Sequence, residues 1–250
     1  MRYTGPKVRL SRRAGVPLTR KAARYFEARP YPPGDHGRRT NRRAMGDYGT
    51  RLLEKQKLRW YYDVSERALR RYWELARRRP GRTGAELVAL LETRLASLVL
   101  RSGIAPSIYA ARQYVTHGHI CVDGRKVSYP GYEVKPGQTV SVRERSRGKQ
   151  PFVAAAEGIH ADERPAPYLD VNLRDLRFTL LHRPEREEIV VPVDEQLIVE
   201  HYSRCPGRRR TRVPVRRRSG AGAQVRALAM RSASTSGSMR SPVRWERFSW

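Results

Sequence analysis

The residues that could carry out metal or catalytic chemistry are few in this sequence and lie far apart. Its two cysteines are Cys121 and Cys205, whereas a metal site needs several clustered ligands. His117 and His119 would share one face of a strand, where they could hold a metal or face RNA. The sequence contains no G-x-x-x-x-G-K-[ST], G-x-G-x-x-G or G-x-S-x-G motif, the patterns that bind phosphates or present a nucleophile. We therefore expect no metal, no cofactor and no enzymatic activity.

The chemistry that the sequence does offer is electrostatic. Of its 250 residues, 52 are Lys or Arg and 24 are Asp or Glu, a formal net charge of +28. Such a charge repels itself in a compact state unless a polyanion neutralises it. Arginine supplies most of this charge, and its planar fork of donors suits phosphate. The excess is concentrated in two arms, residues 1–46 and 205–250, so the sequence predicts a protein that binds nucleic acid.

Apolar patterning excludes two other classes of protein. No apolar run approaches the roughly 18 residues of a membrane-spanning helix, and the amino terminus lacks the apolar stretch of a secretory signal. Hydrophobic residues make up 39% of the chain, which is too many for a wholly disordered protein. We expect a globular body in a reducing compartment, with no membrane contact.

The elements that must position the basic residues are mainly helices. Capping residues and apolar spacing predict four of them before residue 120, at 49–62, 65–79, 83–103 and 107–118. The third is expected to begin with a capping box formed by Thr83 and Glu86. A fifth helix is predicted near the end of the body, at 195–202. Little periodicity is visible over 1–46.

A region of short strands follows the fourth helix. Asp123-Gly124 predicts a tight hairpin turn, and the alternation of apolar and polar residues predicts strands at 119–122, 126–129, 133–134, 139–142, 177–181 and 188–193. Residues 147–168 are expected to form a loop and linker. Residues 205–250 are rich in Arg, Ser, Gly, Ala and Pro, and we expect them to be disordered.

Short motifs along the chain identify a family. They are R-Y-x-G-P at 2–6, Y-P-P-G-x-H-G at 31–37, D-Y-G at 47–49, E-K-Q-K-L-R at 54–59, S-E-R-x-L-R-R-Y at 65–72, L-L-E-x-R-L at 90–95, A-R-Q-x-V-x-H-G-H-I-x-V-D-G at 111–124 and E-Q-L-I-V-E-x-Y-S-R at 195–204. In these motifs the sequence resembles the small-subunit ribosomal protein S4 family of bacteria and organelles. The amino-acid sequence at 105–113 is most similar to that of the cyanobacterial and chloroplast branch.

The resemblance implies an α+β fold with a mainly helical N-terminal domain. An S4-type RNA-binding domain, made of two helices and a small antiparallel sheet, is expected as an insertion in it. The implied domains are a basic arm at 1–46, a helical body at 47–91 and 151–204, the S4-type domain at 92–150, and the disordered tail at 205–250.

The function implied by the resemblance is that of a structural constituent of the small ribosomal subunit. It would bind 16S rRNA at a five-way junction, nucleate 30S assembly, and contribute to the mRNA entry channel and to translational accuracy. Its partners would be 16S rRNA, mRNA, ribosomal protein S5 and other 30S proteins, on a ribosome in the bacterial cytoplasm or, if organelle-encoded, in a chloroplast or mitochondrion. The alternatives are a non-ribosomal RNA-binding regulator and an RNA-modifying enzyme that carries the same module.

Candidate RNA-binding residues follow from the same motifs. Those of the short helix and the hairpin are Ser107, Arg112, Gln113, His117, His119, Arg125 and Lys126. A basic loop expected at the mRNA entry channel contains Arg38, Arg39, Arg42 and Arg43. The remaining candidates lie in the other motifs and are Tyr31, Pro33, Gly34, His36, Lys55, Lys57, Arg59 and Arg94.

The sequence departs from the family pattern in three places. Members that bind zinc carry four cysteines within about the first thirty residues, and this chain has none there, so a zinc-free form is expected. Ile108 occupies a position where many members have Arg. Residues 205–250 extend past the Tyr-Ser-Arg with which the family ends.

Overall fold

The computed structural model describes residues 3–38, 45–161 and 166–204. The predicted disordered tail lies outside these residues. Ten α-helices are found within the described part of the chain, namely α1 (Lys7–Ala14), α2 (Arg20–Ala28), α3 (Asp47–Tyr61), α4 (Glu66–Ala76), α5 (Thr83–Glu92), α6 (Leu95–Arg101), α7 (Ile108–Thr116), α8 (Glu144–Arg147), α9 (Gln150–Ala156) and α10 (Glu195–Arg204). None of the described helices is long and apolar enough to cross a membrane.

Five strands form one antiparallel sheet. They are β1 (Ile120–Val122), β2 (Arg125–Lys126), β3 (Thr139–Val142), β4 (Leu169–Asn172) and β5 (Arg177–Leu180). Their order across the sheet is β2-β1-β3-β5-β4, with Val122 opposite Val140 and Thr139 opposite Thr179. Val140 and Val142 are buried while Ser141 between them is not, because alternate residues of a strand point to opposite faces.

The apolar faces of α3, α4, α5 and α10 pack into one core. Leu58 and Leu69 are fully buried there, and the rings of Trp73 and Tyr202 stack with centroids 5.3 Å apart. The predicted i, i+3, i+4, i+7 stripe of α4 is confirmed, since Leu69, Tyr72, Trp73 and Ala76 are its buried residues.

A second core lies between the sheet and the helices α6, α7 and α9. Leu98, Val115, Phe152 and Phe178 are at most 1% exposed in it. The predicted α+β fold, with a helical N-terminal part and a small antiparallel sheet, is therefore confirmed.

The packing groups the residues after 150 differently from the predicted domain division. Phe152 and Ala155 of α9 belong to the second core, and β5 forms hydrogen bonds with β3. Residues of 151–180 thus complete the sheet domain, and α10 returns to the helical core. The strand β5 lies too far along the chain from β3 for local spacing to reveal that the two strands pair.

Two helices were missed, and two predictions of local structure are wrong. Residues before 30 form α1 and α2, where Leu10, Ala14 and Leu18 make a small core of their own. Within the predicted loop over 147–168, residues 150–156 form the helix α9, and the short helix α8 ends at Arg147. The extended segment 188–193 has no strand partner among the described residues, because its alternating Ile189 and Val191 pack against helices.

The predicted helix over 83–103 is interrupted. Arg94 has an extended ψ of 139° and pairs with Glu133 in an isolated bridge, which separates α5 from α6. Thr83 does not cap α5, because Arg82 precedes the helix and no side-chain cap is present. Glu86 instead forms an ion pair with Arg183.

Candidate nucleic-acid interface

The short helix α7 is built as its sequence predicts. The Ser107 hydroxyl accepts a hydrogen bond from the Ala110 amide at 3.3 Å, which satisfies one of the free amides of the first turn. Ala111 and Val115 are fully buried. The helix is therefore anchored by its inner face, and its outer face carries Gln113, which is exposed.

The hairpin that follows is held rigidly at its turn. Asp123 and Gly124 have φ values of 49° and 76°, the backbone that a tight two-residue hairpin requires. The Asp123 carboxylate accepts hydrogen bonds from the Thr139 amide at 2.9 Å and from the Gln138 side chain at 2.8 Å. The exposed Arg125 and Lys126 of β2 are thus presented on a fixed frame.

Lys126 lies beside a basic cleft that the sequence interpretation missed. The Lys126 side chain crosses Gly118, where a Cβ atom would come within 2.1 Å of its Cε. The cleft also contains three exposed arginines that flank or belong to α8. We call Lys126, Arg143, Arg145 and Arg147 the hairpin surface. Four basic residues within 143–149 were the available signal in the sequence.

The two histidines lie at the edge of the hairpin surface. The ring centroids of His117 and His119 are 6.1 Å apart, and His119 Nδ1 lies 2.9 Å from the Ser146 hydroxyl. Burial, followed by the charges of Lys149, His117 and Lys126, lowers the pKa of His119. No group of three metal-ligating side chains occurs among the residues that the structure describes.

Arg112 is partly neutralised within the protein. Its Nη1 donates to Asp63 Oδ2 at 2.9 Å, so the charge is shared across the gap between α7 and the end of α3. Arg112 and Asp63 line an open cleft of their own, separate from the hairpin surface. Gln113, Thr116 and His117 also line this cleft and are exposed. The structure thus brings Gln113, His117, His119, Arg125 and Lys126 onto one end of the sheet domain.

Four other predicted RNA-binding residues have partners inside the protein. Lys55 is only 7% exposed and its Nζ lies 3.1 Å from Glu66 Oε1, while Arg59 reaches the second oxygen of Glu66 at 3.3 Å. Lys57 forms an ion pair with Glu54. Arg94 is 7% exposed and donates to the Tyr62 carbonyl at 3.1 Å. This placement favours a role in folding.

The Y-P-P-G motif forms a compact turn against α1. Arg12 donates to the Tyr31 carbonyl at 2.9 Å and to the Pro32 carbonyl at 3.2 Å. A hydrogen bond with Arg38, together with the charges of Arg38, Arg29 and Arg12, lowers the pKa of Tyr31. Pro33 and Gly34 lie within this turn, and Gly34 has a φ of 106°. Arg39, Arg42, Arg43 and the His36 side chain lie outside the described residues.

Comparison with known proteins agrees with the motifs. The profile of the ribosomal protein S4/S9 N-terminal domain matches residues 2–92, and that of the S4 domain matches residues 93–140. The chain is 65% identical to the small ribosomal subunit protein uS4 of Thermobifida fusca over an alignment of 204 residues. The alignment covers 82% of this chain and all of that protein.

Two further relatives are similar over nearly the same length. They are uS4 proteins of Streptomyces avermitilis, at 58% identity, and Streptomyces griseus, at 55%. Each alignment spans 200 residues, 80% of this chain and 97% of the relative. The predicted likeness of 105–113 to the cyanobacterial and chloroplast branch stays a prediction.

Proposed function

The chain belongs to the uS4 family of small ribosomal subunit proteins, and from this premise we propose that it enters the subunit as a primary binder of 16S rRNA. As a member of that family it is a structural constituent of the small subunit. The hairpin surface is the observation that carries the proposal, because four exposed basic side chains surround one cleft on a rigid hairpin and helix. Phosphate contacts need cations held on such a frame.

The proposed rRNA contacts start from the residues that the structure leaves exposed. Gln113, His117, Arg125 and Lys126 would contact RNA, and Arg143, Arg145 and Arg147 extend the same surface. We propose that this binding nucleates 30S assembly at the five-way junction of the 16S rRNA. No catalytic step is part of this role.

The turn at Tyr31 supports a second contact. Arg38 is exposed beside the Tyr31 turn, and Arg39, Arg42 and Arg43 follow it in the sequence. We propose that these arginines face mRNA at the entry channel, and that ribosomal protein S5 and other 30S proteins are neighbours. The ribosome is proposed to be bacterial, as those of the named relatives are, with an organellar ribosome as the alternative.

Reconstitution tests the proposal directly. Full-length protein is bound to 16S rRNA in the presence of excess 23S rRNA and transfer RNA, and entry into 30S particles is followed by sedimentation. The proposal expects preferential binding to 16S rRNA and incorporation before most other proteins. Equal affinity for all three RNAs, with no incorporation, would instead favour the non-ribosomal regulator.

A further inference from the structure

A second basic groove lies on α4, on the side of the helix that faces away from the core. Arg67, Arg70, Arg71 and Glu74 follow one another at i, i+3, i+4 and i+7, so they form one outer stripe. The groove is open to solvent and is lined by Ser65, Arg67, Arg70, Arg71, Glu74 and Tyr129. None of these residues belongs to the hairpin surface or to the RNA-binding candidates of the sequence.

Tyr129 is the unusual member of this groove. It follows β2 in the sheet domain, and its side chain is 55% exposed although it is a large aromatic ring. Arg71 Nη2 donates to the Tyr129 hydroxyl at 3.2 Å. A Cβ atom on Gly131 would lie 3.0 Å from the ring carbon Cζ, so the ring rests against the Gly131 backbone. Tyr129 is thus held in position while much of it remains accessible.

The loop that carries Tyr129 is fixed to α4 by further contacts. The Tyr72 hydroxyl donates to the Gly131 carbonyl at 3.4 Å, and Arg79 Nη2 donates to Glu133 at 2.9 Å. The loop is also tied to α6, where the Leu95 amide donates to the Tyr132 carbonyl at 2.8 Å. The groove is therefore preformed, with one wall from the helical core and the other from the sheet domain.

The charge of the groove is incompletely balanced. Arg70 lies 3.5 Å from Glu74, which partly offsets one of the three arginines. Arg67 has no ion pair within residues 3–38, 45–161 and 166–204, and Arg71 faces the uncharged Tyr129 hydroxyl. Two guanidinium groups beside a fixed, accessible aromatic ring match an unpaired nucleotide, because arginine binds phosphate and an aromatic ring stacks on any base.

We propose that the groove formed by Arg67, Arg71 and Tyr129 binds a single-stranded segment of RNA, with one base stacked on Tyr129 and the flanking phosphates on the arginines. This inference rests on the proposed function, since it takes 16S rRNA as the source of the segment. The protein would then have two RNA-binding sites. The hairpin surface would bind phosphates, and the groove between the two cores would bind an unpaired nucleotide.

The test uses the full-length protein and 16S rRNA. We expect Tyr129→Ala to weaken binding about tenfold, the size of effect that loss of one stacked base gives, while Tyr129→Phe keeps the ring and most of the affinity. Arg67→Gln with Arg71→Gln should make the salt dependence of binding shallower by about 1.4 in the log–log slope, at roughly 0.7 per single-stranded phosphate contact. Arg174→Gln, an exposed arginine between β4 and β5, is the charge control.

A second readout follows the contact itself. After ultraviolet cross-linking, mass spectrometry should find a nucleotide adduct on Tyr129 in the wild-type complex. Unfolding transitions of all variants are measured to exclude loss of fold. The inference is overturned if no adduct forms on Tyr129 and Tyr129→Ala binds as the wild type does, or if a protein rather than RNA covers Tyr129 in assembled subunits. In those cases wild-type binding to 16S rRNA persists, whereas failure of the proposed function would abolish the preference for 16S rRNA altogether.

Discussion

Two sets of basic residues in this protein are alike in the sequence and opposite in the structure. Lys55, Arg59, Arg94 and Arg101, which we call the inward set, each face a carboxylate or a carbonyl within the protein. The hairpin surface keeps its cations exposed around a cleft. Removing a cation from water requires a partner, so the inward set has its partners within the fold, whereas the hairpin surface leaves its cations open to solvent.

Arg101 of the inward set contacts a buried carboxylate that lies between the two cores. Glu92 is fully buried and accepts hydrogen bonds from the Tyr62 hydroxyl, the Tyr168 hydroxyl and Arg101 Nε. Burial, together with the charge of Glu92, raises the pKa of both tyrosines. Both hydroxyls therefore remain protonated donors over the physiological range.

The largest effect is expected from removing that carboxylate. Glu92→Ala leaves Arg101 and two buried hydroxyls without their acceptor, and the free energy of unfolding should fall by about 3–5 kcal/mol, as for other broken buried ion pairs. Urea unfolding of the free protein measures it. The exposed Glu144 on α8 is the matched control, because Glu144→Ala should stay within about 0.5 kcal/mol of the wild type. Equal effects of the two substitutions would remove the distinction between the sets.

Ser107 tests whether a predicted RNA-binding residue acts in folding. Its hydroxyl caps α7, so Ser107→Ala should lower the free energy of unfolding by about 1 kcal/mol, while Ser107→Asn, another good cap, should preserve it. Thermal unfolding of the two variants checks this expectation. A loss of rRNA affinity in both variants, at unchanged stability, would show that the hydroxyl contacts RNA instead.

The smallest effect is a pH dependence at the edge of the hairpin surface. The pKa of His119 is lowered in the folded protein, so the unfolded chain binds a proton more readily than the folded one. The stability that neutral His119 contributes is therefore present above its ordinary pKa, near 6.5, and is lost as the pH falls through that range. Thermal unfolding of the wild type and of His119→Asn is measured at pH 7.5 and at pH 5.5. The stability advantage of the wild type over the variant should be smaller at pH 5.5. A difference that does not change with pH would contradict it.

The sequence predicted the parts of the fold that depend on neighbouring residues. The Ser107 cap, the apolar stripe of α4 and the Asp123-Gly124 turn were all correctly predicted, because each is specified within a few residues. It did not predict β4, and it did not predict that β5 would pair with β3, since that pairing joins residues about forty positions apart. It also missed α1 and α2, where basic residues interrupt the apolar ones and only Leu10, Ala14 and Ala22 of the apolar residues are buried.

In the candidate site, too, the sequence predicted what neighbouring residues specify and missed what depends on distant packing. Arg125 and Lys126 flank a turn that the sequence specifies, and they are exposed as expected. Lys55 and Arg59 were predicted to bind RNA from the motif that contains them, and the structure places both beside Glu66 of the next helix, a contact that local spacing does not reveal. The basic run that contains Arg143, Arg145 and Arg147 is visible in the sequence, but its position beside the hairpin depends on the packing of α8.

The salt dependence of 16S rRNA binding tests the central claim most directly. Lys126→Gln, Arg145→Gln and Arg147→Gln are combined in one variant, and Lys55→Gln represents the inward set. Each lost phosphate contact removes roughly 0.7–0.9 from the slope of log affinity against log salt. We predict that the hairpin variant has a slope shallower by about two or more at unchanged stability, while Lys55→Gln loses stability and keeps the wild-type slope. The opposite pattern, with the slope changed by Lys55→Gln and retained by the hairpin variant, would contradict the account.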